Sequence, residues 1–428
     1  MTEKQVFAKC AWRLIPFIML LFMVNIFDRA NVAFAALTMN ADVGFSPAVY
    51  GFGAGLFFVG YCIFQIPANL ILERVGARRW IFCILIVWGA ITACTAAVQG
   101  PASFYAVRVL LGIAEAGFFP GMMLYMTYWF PRPYRARFAA SLTTGGVLGF
   151  VIAGPVSGVI LEMDGLAGLR GWQWLFLTEG MPACLLAFAV LKFLPDRPEH
   201  ASWLSIEEKQ TIAARVAAED TSQHSDFLPA LRDPRVLALT VAYFGQQAAG
   251  WGVGLWVPQI VQGMGFSNLT TGVLVALPYL AGIVVMNLWA RSSDSKGERI
   301  WHVALPALFI LTGLVTASLL QSPILVLMTI AFVAMIQWCL EGPFWALTSS
   351  LLRGTAAAGG LAFVNGVGVG LGGFTGPAVV GVLTQATGGY SAAMAALALG
   401  PAMTTIVVLA VGRHTAPKLA LAPEMTPP

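Results

Sequence analysis

Residues 108–121, RVLLGIAEAGFFPG, set two opposite charges in a run that is otherwise apolar. A charged side chain at bilayer depth costs roughly 2.5–3.5 kcal/mol on insertion scales, so it normally faces a bundle interior or a water-filled path and has work to do there. Arg108 and Glu115 are two helical turns apart and therefore project from one face. A second pair, Asp28 and Arg29 in NIFDRAN, interrupts the first apolar segment, and the two pairs are expected to meet. Adjacent helical residues point about 100° apart, so one can lock to another helix while the other faces a cavity. The expectation is that Asp28 pairs with Arg108. Arg29 is then left to grip an anion through the two-pronged geometry of guanidinium, and Glu115, without a fixed cation, to take up and release a proton. A static network in which all four charges neutralise one another is the plainer alternative.

Glu341 in CLEGPFWAL is a further buried-looking acid with no obvious partner in its own helix. It reads either as a second protonation site or as a group reaching water at a helix break beside Pro343. Glu179 reads as a structural acid. Tyr61, Gln246, Gln247, Trp345 and Asn365 lie at mid-span depth and could orient hydroxyl or carboxylate oxygens, though such groups are often only helix-packing contacts. The six cysteines are unpaired in spacing and the four histidines are scattered, so neither a metal site nor a catalytic cluster is expected, and no cofactor.

These residues need a membrane scaffold. Of 428 residues 58% are hydrophobic and only 10% are charged, which excludes an ordinary soluble domain. Apolar runs recur at helical length and predict twelve spans at 12–37, 48–72, 80–98, 102–127, 138–161, 173–194, 236–261, 270–290, 302–320, 323–350, 358–384 and 391–412. Arginines and lysines cluster in alternate loops (Arg74, Arg78, Arg79; Arg132, Arg135, Arg137; Arg291, Lys296, Arg299; Arg353), which places both termini in the cytoplasm. The net charge of +4 is thus a matter of topology and implies no nucleic-acid partner.

The domain plan is a six-helix bundle at 1–194, a cytoplasmic linker at 195–235, a second six-helix bundle at 236–412 and a disordered tail at 413–428. Within the linker, Ser205 and Glu208 form a capping-box pattern ahead of a short amphipathic helix. The halves echo each other: LERVGARR after the second span superposes Glu73 on Asp294 and Gly76 on Gly297 of SDSKGERI, and GPVSG in span five answers GPAVVG in span eleven. Repeated halves predict a substrate site near the midplane between them, exposed alternately to each side. The fold class is therefore an all-α membrane protein of two pseudo-symmetric six-helix bundles.

The layout, with LERVGARR after span two, resembles the major facilitator superfamily. Within it FDRANVAFA, RVLLGIAEAGFFPG, TYWFP, GWQWLFLTEG and LPDRP resemble the anion:cation symporter family of tartrate, phthalate and sugar-acid transporters. The resemblance implies proton-coupled import of a small organic carboxylate across a bacterial inner membrane by a monomer. Asp28 and Glu115 match its proton-handling acids, Arg29 its substrate arginine, Arg108 the arginine answering Asp28, and Tyr61, Trp345 and Asn365 its cavity-lining positions. Ile26 and Gly146 depart from the sugar-acid carriers, where a tyrosine and a polar amide can stand, and favour a small or aromatic cargo. Alternatives are an organic-phosphate or other anion antiporter, which would carry more than one cavity arginine, and a non-transporting membrane sensor, which would need an output module.

Overall fold

The structure is a computed structural model and describes residues 2–218, 232–352 and 355–419. Among them every regular element is helical. The chain runs α1 (Glu3–Val43), α2 (Pro47–Val75), α3 (Ala77–Cys94), α4 (Pro101–Glu115), α5 (Phe118–Trp129), α6 (Arg132–Leu161), α7 (Gly171–Phe193), α8 (Ile206–Ala217), α9 (Pro234–Gln262) and α10 (Asn268–Lys296). It continues with α11 (Ile300–Leu319), α12 (Pro323–Ile336), α13 (Glu341–Leu351), α14 (Thr355–Thr387), α15 (Ser391–Leu397) and α16 (Leu399–Leu419).

Eleven stretches are long and apolar enough to cross a membrane, with α4–α5, α12–α13 and α15–α16 each forming one such stretch. The twelfth expected span is α9, which is equally long but carries Gln246, Gln247, Gln259 and Gln262. It tolerates them because it is enclosed by α14, α16, α1 and α10, so little of it needs to be compatible with lipid. The outward faces of the other helices are apolar and exposed, as at Ile63, Leu185, Val284, Met328 and Ile406, which is what hydrocarbon requires of a spanning helix.

Local chemistry sets the helix ends. Ser46 Oγ accepts from Val49 N, with Pro47 at the first helical position of α2; Ser267 caps α10 and Asp233 caps α9. Each of the repeated loops has a glycine at positive φ, Gly76 at +90° and Gly297 at +63°, a region open to glycine without strain, though only Gly297 is in the left-handed helical conformation. After Gly76, Asp196 Oδ1 takes the Arg78 amide at 2.8 Å. After α10, Arg299 Nη1 meets Asp294 Oδ1 at 2.7 Å.

Helices α2 and α14, and α6 and α10, join the halves at the ends remote from the N-terminus. Gly154 and Gly272 lie backbone to backbone, so a Cβ on either would strike the carbonyl of the other; Gly51 meets Pro377 and Gly381 in the same way. Glycine is required here because the helices cross at van der Waals contact of their main chains.

The amphipathic linker helix forms as expected at α8, with Ser205 Oγ and Glu208 closing a capping box. It is docked on the end of α1. Trp203 stacks on Trp129 at 5.8 Å and 11°, and the Arg13 guanidinium lies 5.4 Å from the Trp203 ring. Lys9 Nζ donates to both Glu208 oxygens at 2.9 and 2.8 Å. Residues 219–231 of the linker and 420–428 of the expected tail lie outside the described residues, while α16 itself runs past Arg413 to Leu419.

The Lys9 hydrogen bonds, then the Ser205 amide, hold the Glu208 carboxyl below its usual value. A carboxyl depressed in the folded state contributes stability that is present above its unfolded value of about 4.3 and is lost as pH falls through the folded one. Amide protection of α8 in hydrogen exchange should therefore be full at neutral pH and fall below about pH 4; Lys9→Ala should reduce it already at neutral pH.

Candidate functional site

The charged cluster assembles where α1 faces α4 and α3. Helix α4 ends at Glu115 and resumes as α5 at Phe118; Gly117 lies in the gap, where any side chain would strike Ala68 and Trp80. Glu115, fully buried, accepts Arg29 Nε at 2.8 Å and Asn25 Nδ2 at 2.8 Å on the same oxygen, Oε2. Asn25 and Arg29 are one turn apart and so converge on one point. Arg29 Nη2, Glu115 Oε1 and Asn25 Oδ1 are buried without a hydrogen-bond partner, so the pair is held by only one of its two possible bonds.

Beneath the guanidinium lies an aromatic floor from α2. The Arg29 Cζ is 4.7 Å from the Tyr61 ring and 5.2 Å from Phe57, and Phe57 also carries Arg108 at 4.9 Å. Such faces stabilise a desolvated cation by about 2 kcal/mol.

Two of the expected pairings are corrected. Asp28 does not reach Arg108 at ion-pair distance; it accepts Thr92 Oγ1 at 3.0 Å and Asn31 Nδ2 at 3.1 Å, all of it buried. Arg108 instead donates Nη2 to the Ala54 carbonyl at 3.3 Å and leaves Nε unsatisfied. The cause is angular: Asp28 points a third of a turn away from Arg29 and faces α3, while Arg108 lies two turns from Glu115, at the level where α2 crosses. Arg29 is therefore not a free cation, and Glu115 is not without one.

On the other half, Glu341 is the first residue of α13, next to a one-turn 3₁₀ interruption at Gln337–Cys339. It accepts Gln247 Nε2 at 3.2 Å on Oε1, and Tyr243 Oη at 3.3 Å and Trp345 Nε1 at 3.2 Å on Oε2. The sequence reading found no partner in its own helix, yet Trp345 is one, four residues on. Tyr61, Gln247 and Trp345 thus stand at the charged groups. Gln246 does not: it turns away, its Nε2 donating to the Gln337 carbonyl at 3.4 Å. Asn365 is half-buried on α14, next to Gly366, which faces Gln65. Glu179 is bonded to Ser157 Oγ at 2.9 Å between α7 and α6, consistent with a packing role. Ile26 and Gly146 face one another and form an apolar wall one residue along from Asn25.

Sequence reasoning missed Asn25, Tyr243, Phe57 and Thr92. The first two had a readable signal, each a polar residue one turn before a named one (Asn25 before Arg29, Tyr243 before Gln247). No metal-ligating cluster occurs among the described residues.

The sequence pattern of the Major Facilitator Superfamily matches residues 18–377. The chain belongs to that superfamily. As a member it is a membrane transporter rather than an enzyme, and its relatives agree. A protein of Agrobacterium vitis named for tartrate transport is 45% identical over 420 residues, covering 97% of this chain and 96% of its own. The inner membrane transport protein RhmT of Escherichia coli K12 is 38% identical over 371 residues, covering 85% of each chain. Among solved structures, a bacterial homologue of the human lysosomal transporter Spinster superposes with a TM-score of 0.77 at 16% identity, over 94% of this chain and 96% of that one. The all-helical major facilitator fold, with its two six-helix bundles, is thus shared well beyond detectable sequence similarity.

Breaking a buried pair by removing one member costs about 3–5 kcal/mol, whereas replacing both by apolar groups is often neutral. In detergent melts, Arg29→Met and Glu115→Met should each destabilise strongly, and the double variant should melt well above the sum of the two losses. Additive losses would mean that the two groups do not interact.

Proposed function

We propose that this major facilitator is a proton-coupled symporter of the anion:cation type that imports a small organic carboxylate. The observation that carries the reading is the half-made Arg29–Glu115 pair, buried and holding both an unpartnered guanidinium nitrogen and an unpartnered carboxylate oxygen. A proton on Glu115 removes the charge that holds Arg29. The guanidinium is then free to grip a cargo carboxylate in the two-pronged manner, with Tyr61 and Phe57 keeping its position. When the cargo leaves, Arg29 returns to Glu115 and the proton is expelled, so cargo and proton move together. Asp28, bonded only to neutral donors, is a second acid that can enter this exchange. The tartrate name of an Agrobacterium vitis relative supports a carboxylate cargo, and Ile26 against Gly146 favours a compact one.

The protein works as a monomer in a bacterial inner membrane, with both termini in the cytoplasm, since the basic residues lie in the loops on that side. In that orientation the Gly154–Gly272 crossing closes the outer side. The domain plan follows the repeat, with bundles at 1–194 and 236–412 joined through the docked helix α8.

In proteoliposomes Glu115→Gln should abolish accumulation driven by a pH gradient while sparing exchange of labelled cargo across equal concentrations; accumulation at the original level would overturn the assignment. Arg29→Lys should weaken carboxylate binding by about tenfold or more, because an ammonium cannot reproduce the fork. Unchanged affinity would remove Arg29 from the cargo site.

A further inference from the structure

The two broken helices are related by the repeat. Glu115-Ala-Gly-Phe-Phe on α4–α5 and Glu341-Gly-Pro-Phe-Trp on α13 each set a glutamate three residues before a pair of aromatics; Glu115 is the last residue before the interruption of its span and Glu341 the first after one. The helix that answers each acid is related as well. On α1 the donors are Asn25 and Arg29, one turn apart; on α9 they are Tyr243 and Gln247, also one turn apart and offset by one common interval. The halves therefore build related carboxylate cradles, which differ in Asn25 against Tyr243, in the added donor Trp345 and, in charge, at one position. Where the first half places Arg29, the second places the neutral Gln247.

This substitution leaves a charge unmatched. Asp28, Arg29, Arg108 and Glu115 balance within their own cluster. Glu341 has three neutral donors and, among the described residues, no lysine, arginine or histidine at ion-pair distance. Trp345 Nε1 can only donate, so the cradle is made for an acceptor. Around it stands an aromatic corner: Tyr243 and Trp345 meet edge to face at 5.0 Å, and Phe344 stacks on Tyr243 at 5.0 Å. A carboxylate flanked by tyrosine and tryptophan faces is the composition that recognises ammonium groups.

The cradle also adjoins α14, the helix that packs on α2 of the first half. Along α14, Gly368 and Gly372 face Tyr243 and Gln247, while Gly370 faces Cys62, the neighbour of Tyr61 beneath Arg29. Phe58 on α2 and Trp251 on α9 touch at 4.7 Å. Arg29 and Glu341 are thus linked across the halves through α2, α14 and α9.

We propose that Glu341, with Tyr243, Gln247 and Trp345, forms the second pole of the cargo site and takes a cationic nitrogen, so that the cargo is a carboxylate bearing an ammonium or other basic nitrogen at its far end. The cation stands in the second half for what Arg29 supplies in the first. A cargo bridging the two halves, anion on Arg29 and cation on Glu341, also holds them together during closure, whereas a second carboxylate at that end, as in tartrate, would meet Glu341 charge to charge, so this cargo departs from the one for which the Agrobacterium vitis relative is named. The inference rests on the reading of Arg29 as the carboxylate anchor.

The test is thermal stabilisation of the full-length, detergent-purified protein by short ω-amino acids, the unsubstituted acids of matching length and the matching α,ω-dicarboxylates. Wild type should bind the ω-amino acid about tenfold or more tighter than its unsubstituted counterpart, with the dicarboxylate weakest. Glu341→Gln should erase that preference, while a size-exclusion profile and a ligand-free melting temperature like those of wild type report a folded protein. Equal affinities in wild type, a preference that survives in Glu341→Gln, or a dicarboxylate preference would overturn the proposal; the last would make Glu341 a proton carrier. Arg29→Lys separates the two readings. If it weakens all three classes while Glu341→Gln changes nothing, only the cationic pole fails; if it weakens none, the carboxylate anchor fails as well.

Discussion

A carboxylate buried in a membrane protein must be answered, and the way Glu115 is answered organises this molecule. Its side chain is fully buried, at a depth where water cannot solvate it. Arg29 and Asn25 on α1 supply the donors, α2 supplies the aromatic floor beneath the cation, and the gap at Gly117 gives Glu115 its place at a helix end. Three helices are thereby fixed relative to one another by one ion pair. The pair is incomplete, with an unpartnered oxygen on one side and an unpartnered nitrogen on the other. A saturated pair would be a structural rivet. An unsaturated one can be exchanged for a proton and an anion at modest cost, because neither partner starts with all its bonds made.

The second half repeats the device with altered chemistry. The cradle around Glu341 also lies at a helix break, here on the N-terminal side of the glutamate, and has the same one-turn spacing of donors, but no resident cation. Duplicated halves conserve geometry through packing, while the identity of single side chains is free to diverge. The glycine crossings are the packing counterpart: Gly154 against Gly272 and Gly51 against Gly381 bring main chains together at one end. Beside them side chains of the two halves interlock, Phe150 stacked on Tyr279 at 5.0 Å and Tyr50 edge-on to Trp256 at 5.0 Å, so this end is closed by side-chain packing as well as by main-chain contact.

The linker belongs to the first half. Trp203 between Trp129 and Arg13, and Glu208 on Lys9, tie α8 to the end of α1.

The sequence by itself determined the membrane class, the spans, the repeat and the residues worth watching. Those follow from hydropathy, loop charge and the cost of ionised groups in hydrocarbon, all of which are local and additive along the chain. It named Arg29, Glu115, Tyr61, Gln247, Trp345 and Glu341, and each stands at a charged group in the fold. It did not determine who pairs with whom. Asp28 was matched to Arg108 by charge alone, yet the direction of its side chain around α1 turned it to Thr92, and Arg29 took Glu115. Gln246 and Gln247 were indistinguishable in sequence, and a rotation of one residue sent the first to a backbone carbonyl and the second to Glu341. Pairing depends on the azimuth at which two helices face each other, and that is set by packing between residues far apart in the chain, so only the tertiary structure could decide it.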